Sequence, residues 1–383
     1  MPRILILHAL LGSGHRSAAE AIAAALRPRP GVEVRVEDAL DHLLPLAKPL
    51  WMQMYRQLSE RAPRLYRAFY DASDADDAAA ATSSNLWAGR LSRIFLARID
   101  RLVGRFRPDA VVCTMQFPLQ LMSHMRHTGA LRAPLYVAVT DFVPHGSWVA
   151  EGVDGYFLPD ERIADGFVRK GVDPALIQVT GVPIRPEAAA PKCRAATRRR
   201  LGLPEDRPVI ALFGGGVAPQ VVRAIATQIL AAETPCALVT VAGRNERLAA
   251  ALADLRGTAA VTLVRHGAID FVDDLLAASD LLIGKAGGLT TSEALARGVP
   301  MVLIEPIPGQ EEWNADFVVG SGAGVQLSVP EAAAPVALDL VRDPERLALM
   351  RLNALGAGRP RAAGDIATRI LADLRAPELR RAA

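Results

Sequence analysis

Short runs rich in Val, Ile, Leu and Ala alternate with Ala/Arg/Leu-rich stretches of helical period, and this alternation constrains the fold more than any other feature of the chain. Residues 4–8, 32–38, 110–114, 135–140, 155–158 and 177–180 form one series of strand-like runs. Residues 209–213, 237–242, 261–265, 281–283, 301–304 and 324–326 form a second. Near-continuous apolar strands separated by helices belong to parallel sheets covered on both faces. The Pro- and Ala-rich stretch from Gly181 to Pro191 separates the two series, which places a linker at 182–195. The expected fold class is α/β, with two Rossmann-like, doubly wound domains at residues 1–185 and 196–358. The length of 383 residues gives each half enough chain for its own core.

Charge and cysteine usage narrow the partners. Lys+Arg 44 against Asp+Glu 41 leaves a net charge of +3, too small for a whole-chain nucleic-acid footprint. The three cysteines, Cys113, Cys193 and Cys236, are scattered and show no metal-ligand spacing, which points to a reducing compartment. No apolar run approaches the ~18 residues of a spanning helix. The run from Ile4 to Leu11 reads as a first strand rather than a signal peptide, because it meets Gly12-Ser13-Gly14-His15 instead of a small-residue cleavage site. Residues 48–70 interleave aromatics with Lys48, Arg56, Arg61, Arg64 and Arg67, a pattern that serves either a membrane interface or packing on the sheet. A second basic cluster, Lys192, Arg194 and Arg198 to Arg200, reads as an anionic-lipid patch or as a solvated helix face.

Chemistry-bearing motifs fall at strand ends. Gly12-Ser13-Gly14-His15-Arg16-Ser17 joins the first strand to the helical pattern beginning at Ala18, with Glu37 and Asp38 about 20 residues on. It resembles a dinucleotide fingerprint with Ser17 in place of the third glycine. His15 is placed to act as a general base, or simply to bond a helix terminus. Gly214-Gly215-Gly216 forms a second strand–glycine–helix turn. Lys285-Ala286-Gly287-Gly288-Leu289-Thr290-Thr291-Ser292-Glu293 follows another buried strand. Its glycines and threonines suit a diphosphate, and Glu293 suits the two hydroxyls of a ribose. The alternatives are helix capping by Thr290 and Thr291, and an i,i+4 pair of Glu293 with Arg297. Gln310 and Glu311 open the next helix, where they bind hexose hydroxyls or compensate the helix dipole. Asp74-Ala75-Asp76 has the spacing of a metal-dependent transferase motif but lies in an Ala-rich stretch without a strand before it. No phosphate loop of the GxxxxGK[ST] type, HExxH or GxSxG motif occurs.

On these residues the chain resembles the monogalactosyldiacylglycerol synthase and processive diacylglycerol glucosyltransferase family, relatives of MurG. The motifs that carry the likeness are residues 4–22 with Gly-x-Gly-His, Thr140-Asp141-Phe142 with His145 and Trp148, residues 267–275, residues 278–298 and residues 306–315. The resemblance implies a GT-B architecture whose C-terminal segment, 359–383, returns a helix at 362–374 to the first domain. It implies an inverting hexosyltransferase using UDP-hexose and a lipid hydroxyl, with diacylglycerol or glycosylated diacylglycerol as acceptor, without metal or other cofactor; the alternatives are a MurG-like UDP-GlcNAc transferase to a polyprenyl-linked acceptor and a UDP-GlcNAc 2-epimerase-like enzyme. Residue by residue, the resemblance makes His15 the catalytic base; Asp141 then either orients His15 or an acceptor group, or caps a helix as a Thr-Asp at a strand end does. Gly214, Gly215, Gly216, Lys285, Gly287, Gly288, Leu289 and Thr290 become diphosphate and uridine loops, Glu293 the ribose ligand, and Gln310 and Glu311 the sugar contacts. Gly12, Gly14, His145 and Trp148 fall on the acceptor side. Relatives place an aromatic after the glycine of the uracil-side loop; here Gly267-Ala268-Ile269 leaves backbone bonding near Ile269. The expected location is the cytoplasmic face of the membrane, bound peripherally at an anionic surface, with no nucleic-acid partner.

Overall fold

A computed structural model describes residues 1–9, 13–42, 74, 98–307 and 309–382. The chain forms two compact units. The first is built from Met1–Pro186, Pro308–Gln310 and Pro360–Ala383, the second from Glu187–Ile307 and Glu311–Arg359. Gly12, the aromatic-basic segment 48–70 and most of the acidic stretch 71–81 lie outside the described residues.

Each unit carries one six-stranded, wholly parallel sheet. In the first, β1 (Arg3–His8), β2 (Glu33–Asp38), β3 (Ala110–Cys113), β4 (Leu135–Ala138), β5 (Gly155–Leu158) and β6 (Ile177–Val179) are ordered β2-β1-β3-β4-β5-β6. In the second, β7 (Val209–Phe213), β8 (Cys236–Val241), β9 (Val261–His266), β10 (Leu281–Gly284), β11 (Met301–Ile304) and β12 (Gly324–Leu327) are ordered β12-β11-β10-β7-β8-β9. The runs singled out in the sequence are thus all strands; β3, β4 and β10 are apolar throughout because both faces are buried, whereas the edge strand β2 alternates Val34 and Val36 with charged residues.

The two faces of the first sheet fill separate cores. Leu5, Leu7, Val111, Cys113, Val137 and Leu158 join one cluster. Their alternates Ile4, Ile6, Ala110, Val112, Tyr136 and Phe157 join the other. That second face is covered by helix Ser13–Leu26 and by the C-terminal helix Ala362–Ala382, which inserts Ile366, Ala367, Ile370 and Leu371. The Tyr136 hydroxyl donates to Asp373 at 3.1 Å, fixing the helix along the sheet. Ile370 is 0% exposed. Its replacement by Ala should cost about 2–5 kcal/mol of stability, measured by urea denaturation, because the cavity cannot be refilled from solvent.

The linker expected at 182–195 is not free of the second unit. The Arg297 guanidinium donates to the carbonyls of Ala190 at 2.8 Å and Glu187 at 3.0 Å, while binding the Asp273 carboxylate with two 2.6 Å bonds. Burial pushes the Asp273 carboxyl up, but the hydrogen bonds from Arg297 and Lys192 outweigh it and hold the group below its ordinary range. The basic cluster that follows is neutralised from within: Lys192 meets Asp273 and Asp274, Arg194 and Arg198 meet Asp280, Arg199 meets Glu205, and Arg200 meets Asp274. Cations engaged this way offer little charge to a lipid surface, and Arg198, at 6% exposure, is buried rather than part of a solvated face.

Candidate active site

Open parallel sheets bind ligands where successive crossovers turn to opposite sides, beyond the carboxyl ends of the strands. In the first sheet that point lies between β1 and β3, and in the second between β7 and β10. Both expected half-sites fall there.

His15 is in the first turn of helix Ser13–Leu26, so the helix begins earlier than the pattern from Ala18 suggests, and Gly14 is already helical. The residue after β3, Thr114, grips it twice. The Thr114 hydroxyl donates to the His15 carbonyl at 2.9 Å, and the Thr114 carbonyl lies 2.8 Å from His15 Nδ1. A carbonyl can only accept, so Nδ1 carries the proton and Nε2 keeps its lone pair. Burial lowers the His15 pKa, opposed by the bond to Thr114. The imidazole therefore stays neutral, and competent to take a proton, to below its ordinary value near 6.5.

His8, at the end of β1, is 5% exposed and its pKa is also lowered, chiefly by burial, with Asp38 pulling the other way. The unfolded chain protonates both rings near pH 6.5, before the folded state does. Stability should accordingly be flat above that pH and fall below it, by about 1.4 kcal/mol per pH unit for each histidine that the folded state keeps neutral. Urea midpoints across pH 5–8 at constant ionic strength test this (roughly the range in which histidine titrates).

The segment after β4 carries Asp141, His145 and Trp148, the residues expected on the acceptor side. Asp141 is 5% exposed, but the ring of His15 is bonded by Thr114 and Thr140 rather than by this carboxylate. His145 caps the short turn Gly146–Trp148, its Nδ1 accepting from the Ser147 N–H at 3.1 Å. Trp148 is 0% exposed and its ring centroid lies 6.5 Å from that of His15. Asp74 tethers the same turn, accepting from the Gly146 N–H at 2.6 Å and pairing with Lys170 at 2.8 Å. Among the described residues no cluster of three or more His, Cys, Asp or Glu could hold a metal. Asp74 is engaged as an anchor of the turn.

In the second unit, helix Gly288–Ala296 opens after β10 with Gly287 as its cap and no side chain bonded to its first N–H groups. Thr290 and Thr291 lie inside the helix, so the capping alternative for them does not hold. An uncapped helix N-terminus presents unsatisfied N–H donors and a positive dipole end. Gly214–Gly216 follows β7 beside it, with Gly216 at φ 75°, a conformation that favours glycine. Lys285 Nζ lies 3.4 Å from the Gly216 carbonyl and 3.5 Å from Glu311. Glu311 in turn accepts from the Ile307 N–H at 2.7 Å. Cation, glycine turn and helix terminus thus gather around one sheet edge.

Glu293 sits one turn into that helix, and Arg297 is committed to Asp273, so the i,i+4 alternative fails as well. Gln310 opens helix Gln310–Gly320, which Asn314 locks to the β10 loop by donating to the Ala286 carbonyl at 2.9 Å. Glu305, at the end of β11, has φ 43°, a strained conformation just before this loop. On the far side of β7, the Gly267 carbonyl accepts from the Gly243 N–H at 3.2 Å, and the Ile269 side chain packs against a small core that includes Leu203. Sequence reasoning did not single out Thr114, and it quoted Thr140 and Asn314 only within longer motifs, with no role of their own; the two threonines become neighbours of His15 only through strand order.

Residues 15–184 match the family described as monogalactosyldiacylglycerol (MGDG) synthase. A processive diacylglycerol beta-glucosyltransferase from Bacillus pumilus is 29% identical over 357 residues, covering 92% of this chain and 90% of the relative. MurG from Acinetobacter baumannii shares the fold with a TM-score of 0.62 at 17% identity, covering 97% of this chain and 99% of that one. A UDP-GlcNAc 2-epimerase from Neisseria meningitidis, solved with UDP-GlcNAc, does so with a TM-score of 0.55 at 11% identity, covering 96% and 99%. The last two speak to fold alone, since a transferase and an epimerase share it. By its strand-end motifs and its full-length relatives the chain is similar to the monogalactosyldiacylglycerol synthase and processive diacylglycerol glucosyltransferase family, and its two parallel sheets have the GT-B fold.

Proposed function

We propose that the protein is an inverting hexosyltransferase that moves a hexose from UDP-hexose to the hydroxyl of diacylglycerol. The observation that carries this reading is the uncapped helix N-terminus at Gly288, placed with Lys285 and Gly214–Gly216 at the switch point of the second sheet. The acceptor oxygen attacks the anomeric carbon as the bond to the β-phosphate oxygen breaks, and inversion follows from this in-line displacement. The hydroxyl proton passes to His15 Nε2. The charge growing on UDP is met by the Gly288, Leu289 and Thr290 N–H groups, by Gly215 and Gly216, and by Lys285, which do the work a cation would otherwise do. Glu293 takes the ribose hydroxyls; Gln310 and Glu311 take those of the hexose, with Lys285 exchanging its contact with Glu311 for the diphosphate. No described helix is long and apolar enough to cross a membrane, so the lipid is met at a surface, for which the reading assigns the cytoplasmic face and its anionic lipids.

Calorimetric titration with UDP tests the donor half directly. Glu293→Gln should weaken UDP binding by about 1.5–3 kcal/mol, the worth of hydrogen bonds to a charged group. Unchanged affinity in that variant would remove Glu293 from the donor site. Transfer by the wild-type protein should survive excess EDTA, and loss of activity restored by a divalent cation would refute the metal-free leaving-group account.

A further inference from the structure

We infer that Thr140 is the positioning residue of the His15 base, completing an uncharged clamp on Nδ1 where a carboxylate would otherwise stand. This rests on the reading of His15 as the base. Three adjacent strands each deliver one member of the arrangement: His15 follows β1, Thr114 follows β3, and Thr140 follows β4. Nδ1 lies 2.8 Å from the Thr114 carbonyl and 3.1 Å from Thr140 Oγ1. Both oxygens are buried with their residues, Thr114 at 0% and Thr140 at 4% exposure.

The two oxygens do different things. The carbonyl dictates that Nδ1 bears hydrogen, because the opposite tautomer would set two lone pairs against each other. One acceptor alone leaves the ring free to swing about that single bond. The Thr140 hydroxyl gives a second point of attachment, which fixes the ring plane and so the direction of the Nε2 lone pair. When Nε2 takes a proton, both oxygens accept from the imidazolium, yet neither carries charge. A carboxylate in the place of Thr140 would hold the ring equally well but raise its proton affinity. The clamp seen here orients the ring without that rise, which keeps the base unprotonated at lower pH.

The titratable groups on the surrounding elements are His8 at the end of β1, Arg16 on the His15 helix, and Asp141 and His145 after β4. None of them bonds to Nδ1. An engineered charge at position 140 should therefore dominate the local field.

Three variants test the assignment in the full-length protein, each followed by hexose transfer to diacylglycerol and by NMR of the ring nitrogens. Thr140→Val should lower kcat roughly tenfold to a hundredfold, a part of the ~10²–10⁴ that a general base supplies, with little change in KM for the UDP-sugar. Thr140→Ser should restore most of that loss. Thr140→Asp should move the acidic limb of kcat/KM, and the His15 titration seen by NMR, upward by about one pH unit or more, because an opposite charge within hydrogen-bond reach favours the imidazolium. Wild-type kcat in Thr140→Val, or an unmoved limb and titration in a folded Thr140→Asp, would overturn the proposal. Full activity in His15→Ala would instead overturn the base itself, so the two failures are distinct.

Discussion

Replacing His15 with Ala should reduce transfer by roughly 10²–10⁴-fold while leaving UDP affinity within twofold or so of wild type. The size follows from what the imidazole does: with Nδ1 bonded to the Thr114 carbonyl, Nε2 is the basic atom, and no other described group is held that way at the switch point of the first sheet. An alcohol is far too weakly acidic to lose its proton unaided at neutral pH, so removing the base strikes kcat rather than binding. The selectivity of the loss follows from the division of the molecule, since the groups assigned to UDP lie in the second unit and His15 in the first. Calorimetry with UDP beside steady-state kinetics separates the two effects. Equal loss of UDP binding and turnover would mean that His15 holds the donor or the fold instead.

Asp280→Ala should cost about 3–5 kcal/mol of stability, a large part of what a typical domain possesses. This carboxylate is 9% exposed and binds Arg194, Arg198 and, at 3.5 Å, Arg351, while accepting from the Val209 N–H at 2.7 Å. Arg198 is itself 6% exposed, with further bonds to the Ala278 carbonyl at 2.9 Å and the Arg207 carbonyl at 3.2 Å. Truncating Asp280 leaves that guanidinium buried without a counter-charge and opens the start of β7. Urea denaturation should show a much lower midpoint. By contrast Arg199→Ala, which breaks only an exposed pair with Glu205, should stay within about 1 kcal/mol. Near-equal effects of the two substitutions would contradict the account of this network.

The sheets were legible in the sequence because a parallel strand buried on both faces must be apolar throughout, as Leu281 to Ile283 and Met301 to Ile304 are. Strand order was not legible, and the details of the His15 site depend on it. Thr114 lies 99 residues from His15 and Thr140 lies 125 away. Thr114 carries no local signal, and the motif Thr140-Asp141-Phe142 does not say what its threonine touches; only the order β1-β3-β4 across the sheet brings the two to one ring. The neighbouring Asp141 drew attention because carboxylates usually orient histidines, and here the hydroxyl one residue earlier holds that place. The partners of the basic cluster were hidden in the same way, since Arg198 and Asp280 are 82 residues apart. The glycine turns after β7 and β10 were easier, because strand, glycine turn and helix succeed one another along the chain.

Mass analysis of the lipid formed from pure diacylglycerol, UDP-glucose or UDP-galactose and the purified full-length protein, with EDTA present, bears most directly on the whole reading. The account predicts a diacylglycerol enlarged by hexose, of inverted anomeric configuration, with one of the two donors and none with His15→Ala. Unaltered diacylglycerol with both donors, from protein that binds UDP, would contradict it.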